Sequence, residues 1–337
     1  MKSAVIGVGR MGRRHIQVVR QLGWDVVGVF DVSRESLKLA QEEQTVPTEL
    51  LYDDLSRLFA EAKPECVIIS TTADSHCELT CLAAERGAKF ILVEKPMAVS
   101  LAECDRMIEA CRAAGAKLAV NHQMRFMPQY TETKRLLISE AFGTFASMTV
   151  VAGNFGFSMN GTHYLEAFRY LADEPVTEVT AWFSTERVSN PRGPHFQDRA
   201  GTLRAMTASG KRLCMEIGAD QGYGLHLVFA SRNGMITVDE ITGEMLSVVR
   251  KAEHREMPTT RIALPADRTQ SKIGLLGVID TTASVLNALV LDTDSVYGED
   301  GRGVVEVMVA AYQSAESGNV PVQVGPGLNR DRTFPWA

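Results

Sequence analysis

The chain predicts two domains: an α/β domain on a parallel sheet, then an α+β domain with a large, mainly antiparallel open sheet. Its 337 residues exceed what one ordinary core organises. The first third alternates apolar strand-like runs with amphipathic helical runs, whereas beyond about residue 145 short strand-like runs follow one another between turn signals such as SG, RNG and TG. Hydrophobic residues make up 45% and charged residues 23%, a globular balance that lets both domains bury cores.

In the first domain the strands are expected at residues 3–8, 25–30, 66–70, 90–93 and 117–121. Helices fall between them at 11–22, 33–43, 76–87 and 100–114, and Gly23, Gly87 and Gly115 provide stops. This domain takes residues 1–122 and the second takes 123–337. There the strands are expected at 146–152, 177–183, 202–208, 212–217, 224–230, 235–239, 245–249 and 260–264. Two helices, 273–291 and 303–317, close the domain, the last one a candidate to pack back on the first domain. The tail GPGLNRDRTFPWA reads as irregular, and no internal repeat is visible.

A net charge of -6 gives no reason to expect nucleic acid or an anionic membrane as the main partner. The opening MKSAVIGVGRMGRR is too short in its apolar run, and too interrupted by glycine, for a signal peptide. No stretch approaches the ~20 apolar residues of a membrane span, so a cytoplasmic protein is expected. Cys77 and Cys81, and Cys104 and Cys111, are spaced as buried helix-face pairs, and all six cysteines read as structural.

Gly7, Gly9 and Gly12 form G-V-G-R-M-G directly between a strand and a helix. In that context the first glycine permits the turn, the second admits a pyrophosphate and the third allows close packing of helix on strand. The amides of Arg10 and Met11 would meet the phosphates at the positive helix end. Asp31 closes the second strand, where a carboxylate can accept both ribose hydroxyls; NAD is therefore the expected cofactor. Ser33 and Arg34 beside it leave NADP as an alternative, since arginine pairs phosphate. Asp31 could instead be a helix cap, a task Ser33 serves as well.

At Glu94-Lys95-Pro96, after FILV, the chain resembles the glucose-fructose oxidoreductase and inositol dehydrogenase group, the Gfo/Idh/MocA family. Thr71 followed by His76, the run from Asn121 through Arg125 to Pro128, Gly161-Thr162-His163 and Gly298-Glu299-Asp300-Gly301 extend the likeness. The resemblance implies a Rossmann domain and reversible oxidation of a CH-OH group of a sugar, cyclitol or related compound by nicotinamide, in a cleft between the domains. It places Lys95 beside the reacting carbinol and Thr71, Thr72, His76 and Glu94 along the cofactor, with Pro96 shaping the turn, through a cis bond if one forms. Arg125, Asn160, His163 and Glu166 then fall on the substrate side, and the second domain's sheet would join copies into a homodimer or homotetramer. Two departures stand out: Thr72-Ala73 replaces a usual Pro-Asn, and Met159 and Glu166 occupy places where the family often has aspartates.

His163 is assigned as base and Lys95 as orienting group and relay, although the roles can exchange. His163 also reads as a core or capping histidine at the start of a helix; His15 and His122 read as structural. The segment 186–204 carries Arg187, Arg192, His195, Arg199 and Arg204. It is either a solvated or subunit-facing loop or a clamp for an acidic or nucleotide-linked sugar, with Arg199 as the substrate residue. No metal-ligand spacing occurs, and hydride transfer to nicotinamide needs none. The alternatives to an enzyme are a non-catalytic dinucleotide sensor and a scaffold that binds no dinucleotide.

Overall fold

The computed structural model describes residues 1–153, 155–218, 220–222, 224–258 and 264–336. The chain divides into two compact units. Met1–Gln123, Gly277–Val305 and Asn329–Ala337 make the first, and Met124–Leu276 with Glu306–Leu328 the second.

Unit 1 begins β1 (Lys2–Ile6), α1 (Arg10–Gln21), β2 (Asp25–Phe30), α2 (Arg34–Gln44), β3 (Leu51–Tyr52) and α3 (Leu55–Ala62). It continues with β4 (Cys66–Ile69), α4 (Ala73–Glu85), β5 (Phe90–Val93), α5 (Leu101–Ala114) and β6 (Lys117–Val120). The strands are parallel in the order β3-β2-β1-β4-β5-β6, the doubly wound arrangement in which the strand order reverses between β1 and β4. Ala4, Val5, Ile6, Val67, Ile68, Ile69, Ile91 and Val93 are fully buried, because a parallel sheet is covered by helices on both faces. Helix starts follow side-chain caps: Ser33 Oγ accepts from Ser36 N, Asp54 from Ser56 N and Arg57 N, and Ser100 from Glu103 N.

In unit 2, α6 (Pro128–Leu137), β7 (Phe145–Gly153) and α7 (Thr162–Ala172) come first. Then follow β8 (Val176–Val188), β9 (Asp198–Thr207), β10 (Arg212–Gly218), β11 (Leu225–Ser231), β12 (Gly234–Asp239), β13 (Glu244–Arg250) and β14 (Ala266–Lys272). The chain ends with α8 (Val278–Leu291), α9 (Gly298–Glu316) and β15 (Val322–Gln323). The nine-stranded sheet runs β14-β13-β12-β11-β7-β10-β9-β8-β15 and is antiparallel except where β7 meets β10. One face packs on helices: Phe145 on Phe168 of α7, and Phe183 on Tyr312 of α9. On the alternate positions Val151, Trp182, Met206 and Met235 are exposed.

Several expectations are revised. Helices α3 and α6 were not anticipated, although Asp54 caps one and Pro128 opens the other. The expected 260–264 strand lies outside the described residues apart from Leu264; the edge strand is β14, whose sequence ADRTQSK is too polar to alternate. Helix α8 starts at Val278 rather than 273, after Gly274 and Gly277. Helix α9 starts five residues before the expected 303, its first turns obscured by three glycines, poor helix formers. Helix α8 packs on α1, with Gln21 Nε2 donating to Asp280 Oδ1 at 3.0 Å, so this part of the later chain belongs to unit 1. The tail is irregular and tied to α5's start: Phe334 N donates to Val99 O at 2.9 Å, and Asp105 pairs with Arg302 and Arg330. Among the described residues no helix is long and apolar enough to cross a membrane.

Candidate active site

In a parallel sheet every strand's carboxyl end lies on one edge, and that edge is where ligands bind in such folds. Unit 1 carries there Gly7–Gly12 after β1, Asp31 after β2, Thr71 and Thr72 after β4, Glu94 and Lys95 after β5, and Asn121 after β6. Gly7 has φ +84°, and a Cβ there would meet Thr71 at 2.7 Å. A Cβ on Gly12 would collide with Gly7 O, so α1 approaches β1 only because residue 12 is glycine. Gly9 differs, since a Cβ there would meet nothing within 4 Å. It is the cap of α1 and carries no side-chain cap, and the first turn holds no acidic group. The positive end of a twelve-residue helix is thus bare beside exposed Arg10 and half-buried Met11, a fit for a pyrophosphate.

Asp31 Oδ2 accepts from Val8 N at 2.7 Å and Oδ1 from Ser33 N at 2.8 Å. The carboxylate is therefore fixed to the glycine turn while each oxygen retains a lone pair for a ribose hydroxyl. Ser33 is occupied as the cap of α2, and Arg34 is exposed beside it. Thr72 Oγ1 donates to Asp74, and Ser75 Oγ donates to Thr71 Oγ1 at 2.7 Å, which settles the turn into α4. His76 is buried with Nδ1 facing Pro96 O and Met97 O at 3.1 and 3.2 Å, and Nε2 facing Thr71 O at 3.3 Å. Burial holds its pKa down against the pull of those carbonyls and of Glu94. His76 thereby pins the turn after Lys95, whose peptide bond to Pro96 is cis.

Glu94 points inward. Its Oε1 accepts from Asn121 Nδ2 at 2.9 Å and lies 2.8 Å from His15 Nε2, and Oε2 accepts from Lys95 N at 3.3 Å. Burial alone would raise its pKa, but the bond and charge of His15, the charge of Lys95 and the Asn121 bond hold it far below the usual carboxylate range. Lys95 itself is half-buried.

In unit 2 a single π-type turn, Phe157–Gly161, leads into α7 and presents half-buried Asn160 just before His163, which is 6% exposed. Asp198 caps this turn, accepting from Ser158 N and Met159 N at 2.9 Å each and from Arg199 N at 2.8 Å. Burial raises the Asp198 pKa against those bonds. Glu166 is fully buried against Arg125, whose Nε lies 3.1 Å from Oε1; Arg169 adds a bond at 3.3 Å. These bonds all fall on Oε1 of Glu166, and Arg125 also lies over the Tyr170 ring. Next to His163, Tyr164 donates to Glu240 at 2.8 Å, as does Tyr130.

The sequence profile of an oxidoreductase family with an NAD-binding Rossmann fold matches residues 1–122. An inositol 2-dehydrogenase of Saccharopolyspora erythraea is 30% identical over 237 residues, 66% of this chain and 68% of that protein. The chain belongs to the Gfo/Idh/MocA family. Like that family it is an NAD-binding oxidoreductase. A D-apiose dehydrogenase of Paraburkholderia graminis is 32% identical over 206 residues, 56% of this chain, and the match spans about half (53%) of that relative. The fold as a whole matches an Agrobacterium radiobacter oxidoreductase crystallised with NAD+, L-tartaric acid and magnesium, at TM-score 0.80 and 19% identity, covering 96% of this chain and 98% of that one.

Within this Gfo/Idh/MocA chain, the arginines of 186–204 do not form one clamp. Arg187 and Arg199 are cross-strand neighbours on β8 and β9, whereas Arg204 lies five residues further along β9, roughly 17 Å away at strand rise, opposite Thr180 and Cys214. Asp198 and Glu240 escaped the sequence reading because nothing near them in the chain marks their partners. His15 was read as structural, and its contact with Glu94 adds a link to the motif. Among the described residues no group of three or more His, Cys, Asp or Glu side chains could hold a metal.

Proposed function

We propose that this protein transfers a hydride reversibly between NAD and a CH-OH group of a sugar or cyclitol, with Lys95 and His163 as its acid-base groups. The observation that carries this is Lys95, a half-buried amine on the same sheet edge as the bare α1 terminus and Asp31. NAD, when bound, supplies the carbon that accepts the hydride. Lys95 donates to the carbinol oxygen and steadies it, and His163 takes the hydroxyl proton as general base. Glu94 does not compete for this role, since both its oxygens are engaged by His15, Asn121 and the Lys95 backbone.

The names of the relatives favour neutral polyols as substrates, and the spread of the arginines along β9 withdraws support from an acidic or nucleotide-linked sugar. The test is NADH formation at 340 nm against a panel of pentoses, hexoses, inositols and uronic acids. Lys95→Ala and His163→Ala are each expected to lower kcat by about 10²- to 10⁴-fold, with NAD binding kept in His163→Ala. NAD binding with no turnover of any polyol would favour the sensor reading instead.

We also propose that the exposed sheet face bearing Val151, Trp182, Met206 and Met235 joins copies into a homodimer or homotetramer, because four large apolar side chains stand exposed on this one face. Light scattering should show a multimer that Trp182→Arg dissociates. A cytoplasmic setting suits the free cysteines, with no disulfide among the described residues.

A further inference from the structure

We infer that His15 is a positioning residue for Lys95: from the second turn of α1 it holds the Glu94 carboxylate, and through it the backbone nitrogen of Lys95. The inference rests on the reading of Lys95 as a catalytic amine. His15 is 1% exposed, between apolar neighbours such as Ile16, Val18 and Val19 that fill the core without polar contacts. A histidine that served only as filling would not need a carboxylate 2.8 Å from Nε2, and an ionised carboxylate is costly to bury unless its oxygens are satisfied.

The network is not at the middle of the core but at the carboxyl edge of the sheet. It draws one group from each of four elements: His15 from α1, Glu94 from the end of β5, Asn121 from the end of β6, and Thr282 of α8, which accepts from Asn121 Nδ2 at 3.3 Å. Helix α1 therefore presents its bare N-terminus and, one turn beyond Gly12, fixes the strand end that carries Lys95. One rigid helix thus sets both the anion site and the height of the amine. Removing the imidazole leaves Glu94 with two donors of three, and the carboxylate can turn away from Lys95 N.

The experiment compares wild type with His15→Leu, which keeps bulk without a donor, and His15→Gln, which returns a donor near the Nε2 position. Three quantities are measured: NAD affinity by calorimetry, kcat on the best polyol of the panel, and acetylation of Lys95 by acetic anhydride relative to exposed Lys38. His15→Leu should lower kcat by roughly 10²-fold, the order that a 1 Å misplacement produces, while NAD Kd moves less than about threefold. The Lys95 to Lys38 labelling ratio should change severalfold, and His15→Gln should restore most of both losses. An unchanged ratio in folded His15→Leu, or a His15→Gln no better than it, overturns the inference. If His15→Leu does not fold, Glu94→Gln decides: it sets an amide against Lys95 N, and a wild-type labelling ratio would overturn the inference. Should wild type reduce NAD with no polyol, the dehydrogenase reading falls while the labelling ratio still judges His15.

Discussion

Gly9 and Gly12 stand three residues apart in one motif, and the structure assigns them different kinds of cost. In Gly12→Ala the new methyl would overlap Gly7 O and reach within 2.8 Å of Gly7 C and 2.9 Å of Ser70 Oγ. Two of these are backbone atoms of β1's end and cannot rotate aside, so α1 must lift from the sheet. Overpacking of this sort costs about 1–3 kcal/mol, and the upper end applies because backbone must move. At about 2–4 °C per kcal/mol for a unit of this size, the melting temperature should fall by roughly 6–12 °C. Gly9→Ala meets nothing within 4 Å and keeps a negative φ of -59°, so folding should change by no more than about 1 kcal/mol. Its methyl instead stands where a pyrophosphate approaches the α1 amides. Losing one hydrogen bond to a charged group costs about 1.5–3 kcal/mol, a roughly 10- to 150-fold weaker NAD. Thermal denaturation by circular dichroism and NAD titration calorimetry separate the two effects. If Gly9→Ala melts as early as Gly12→Ala, or binds NAD like wild type, the assignment of the bare helix end to the cofactor is wrong.

Asp31→Ser should narrow the preference for NAD over NADP by removing the charge that repels a 2'-phosphate, read as the ratio of the two dissociation constants; an unchanged ratio would refute the role. Glu94 and Glu240 should give opposite pH trends. Glu94 has a depressed folded pKa, so its stability is fully present above the unfolded value near 4.3 and lost as pH falls below it. The melting deficit of Glu94→Gln should therefore shrink toward pH 3. Glu240 has a raised folded pKa, caused by burial against bonds from Tyr130, Tyr164 and Gln129, so its contribution is present below about 4.3 and lost as pH rises. Glu240→Gln should accordingly gain on wild type as pH rises from 4, and a gap independent of pH in either variant would contradict the assigned shift. Arg125→Leu should cost about 3 kcal/mol, the low end for a broken buried pair because Arg169 still reaches Glu166, and a chemical-denaturation midpoint close to wild type would show the pair to be dispensable.

How much of this was readable in the sequence depends on where the partners of each residue lie along the chain. The parallel strands declare themselves as short, wholly apolar runs such as CVII and FILV, since both faces are covered. The strands of unit 2 show by alternation, and β14 fails to show because an exposed edge strand has no buried face to mark it. Helix α3 was legible in principle: Asp54 precedes Leu55, Leu58 and Phe59, a cap followed by one apolar face. The networks around the site were not legible. His15 meets Glu94 across 79 positions, Tyr164 meets Glu240 across 76, and Asp198 caps a turn 40 residues before it. Such pairs come together only through the sheet order, which no local pattern encodes.

The same distinction explains why reaction and cofactor are easier to read than substrate. The groups expected to meet a dinucleotide follow directly from strand ends: one short run, Gly7–Gly12, carries the turn and the bare amides, and the carboxylate comes from the next strand end at Asp31. In unit 2 the turn that presents Asn160 is held by Asp198 from another strand, and the carboxylate of Glu166 is spent on Arg125. Met159 stands where a carboxylate was expected, yet the nearest acid in space, Asp198, binds that residue's own amide. A substituted position in a contiguous motif therefore does not report the charge at the site, because the fold can return a carboxylate from a distant strand and assign it to backbone. Asn160, half-buried on the turn that Asp198 holds, is the residue whose exchange to Asp or Ala should shift the ratio of kcat/KM between polyols, and an unchanged ratio would show that this turn does not meet the substrate.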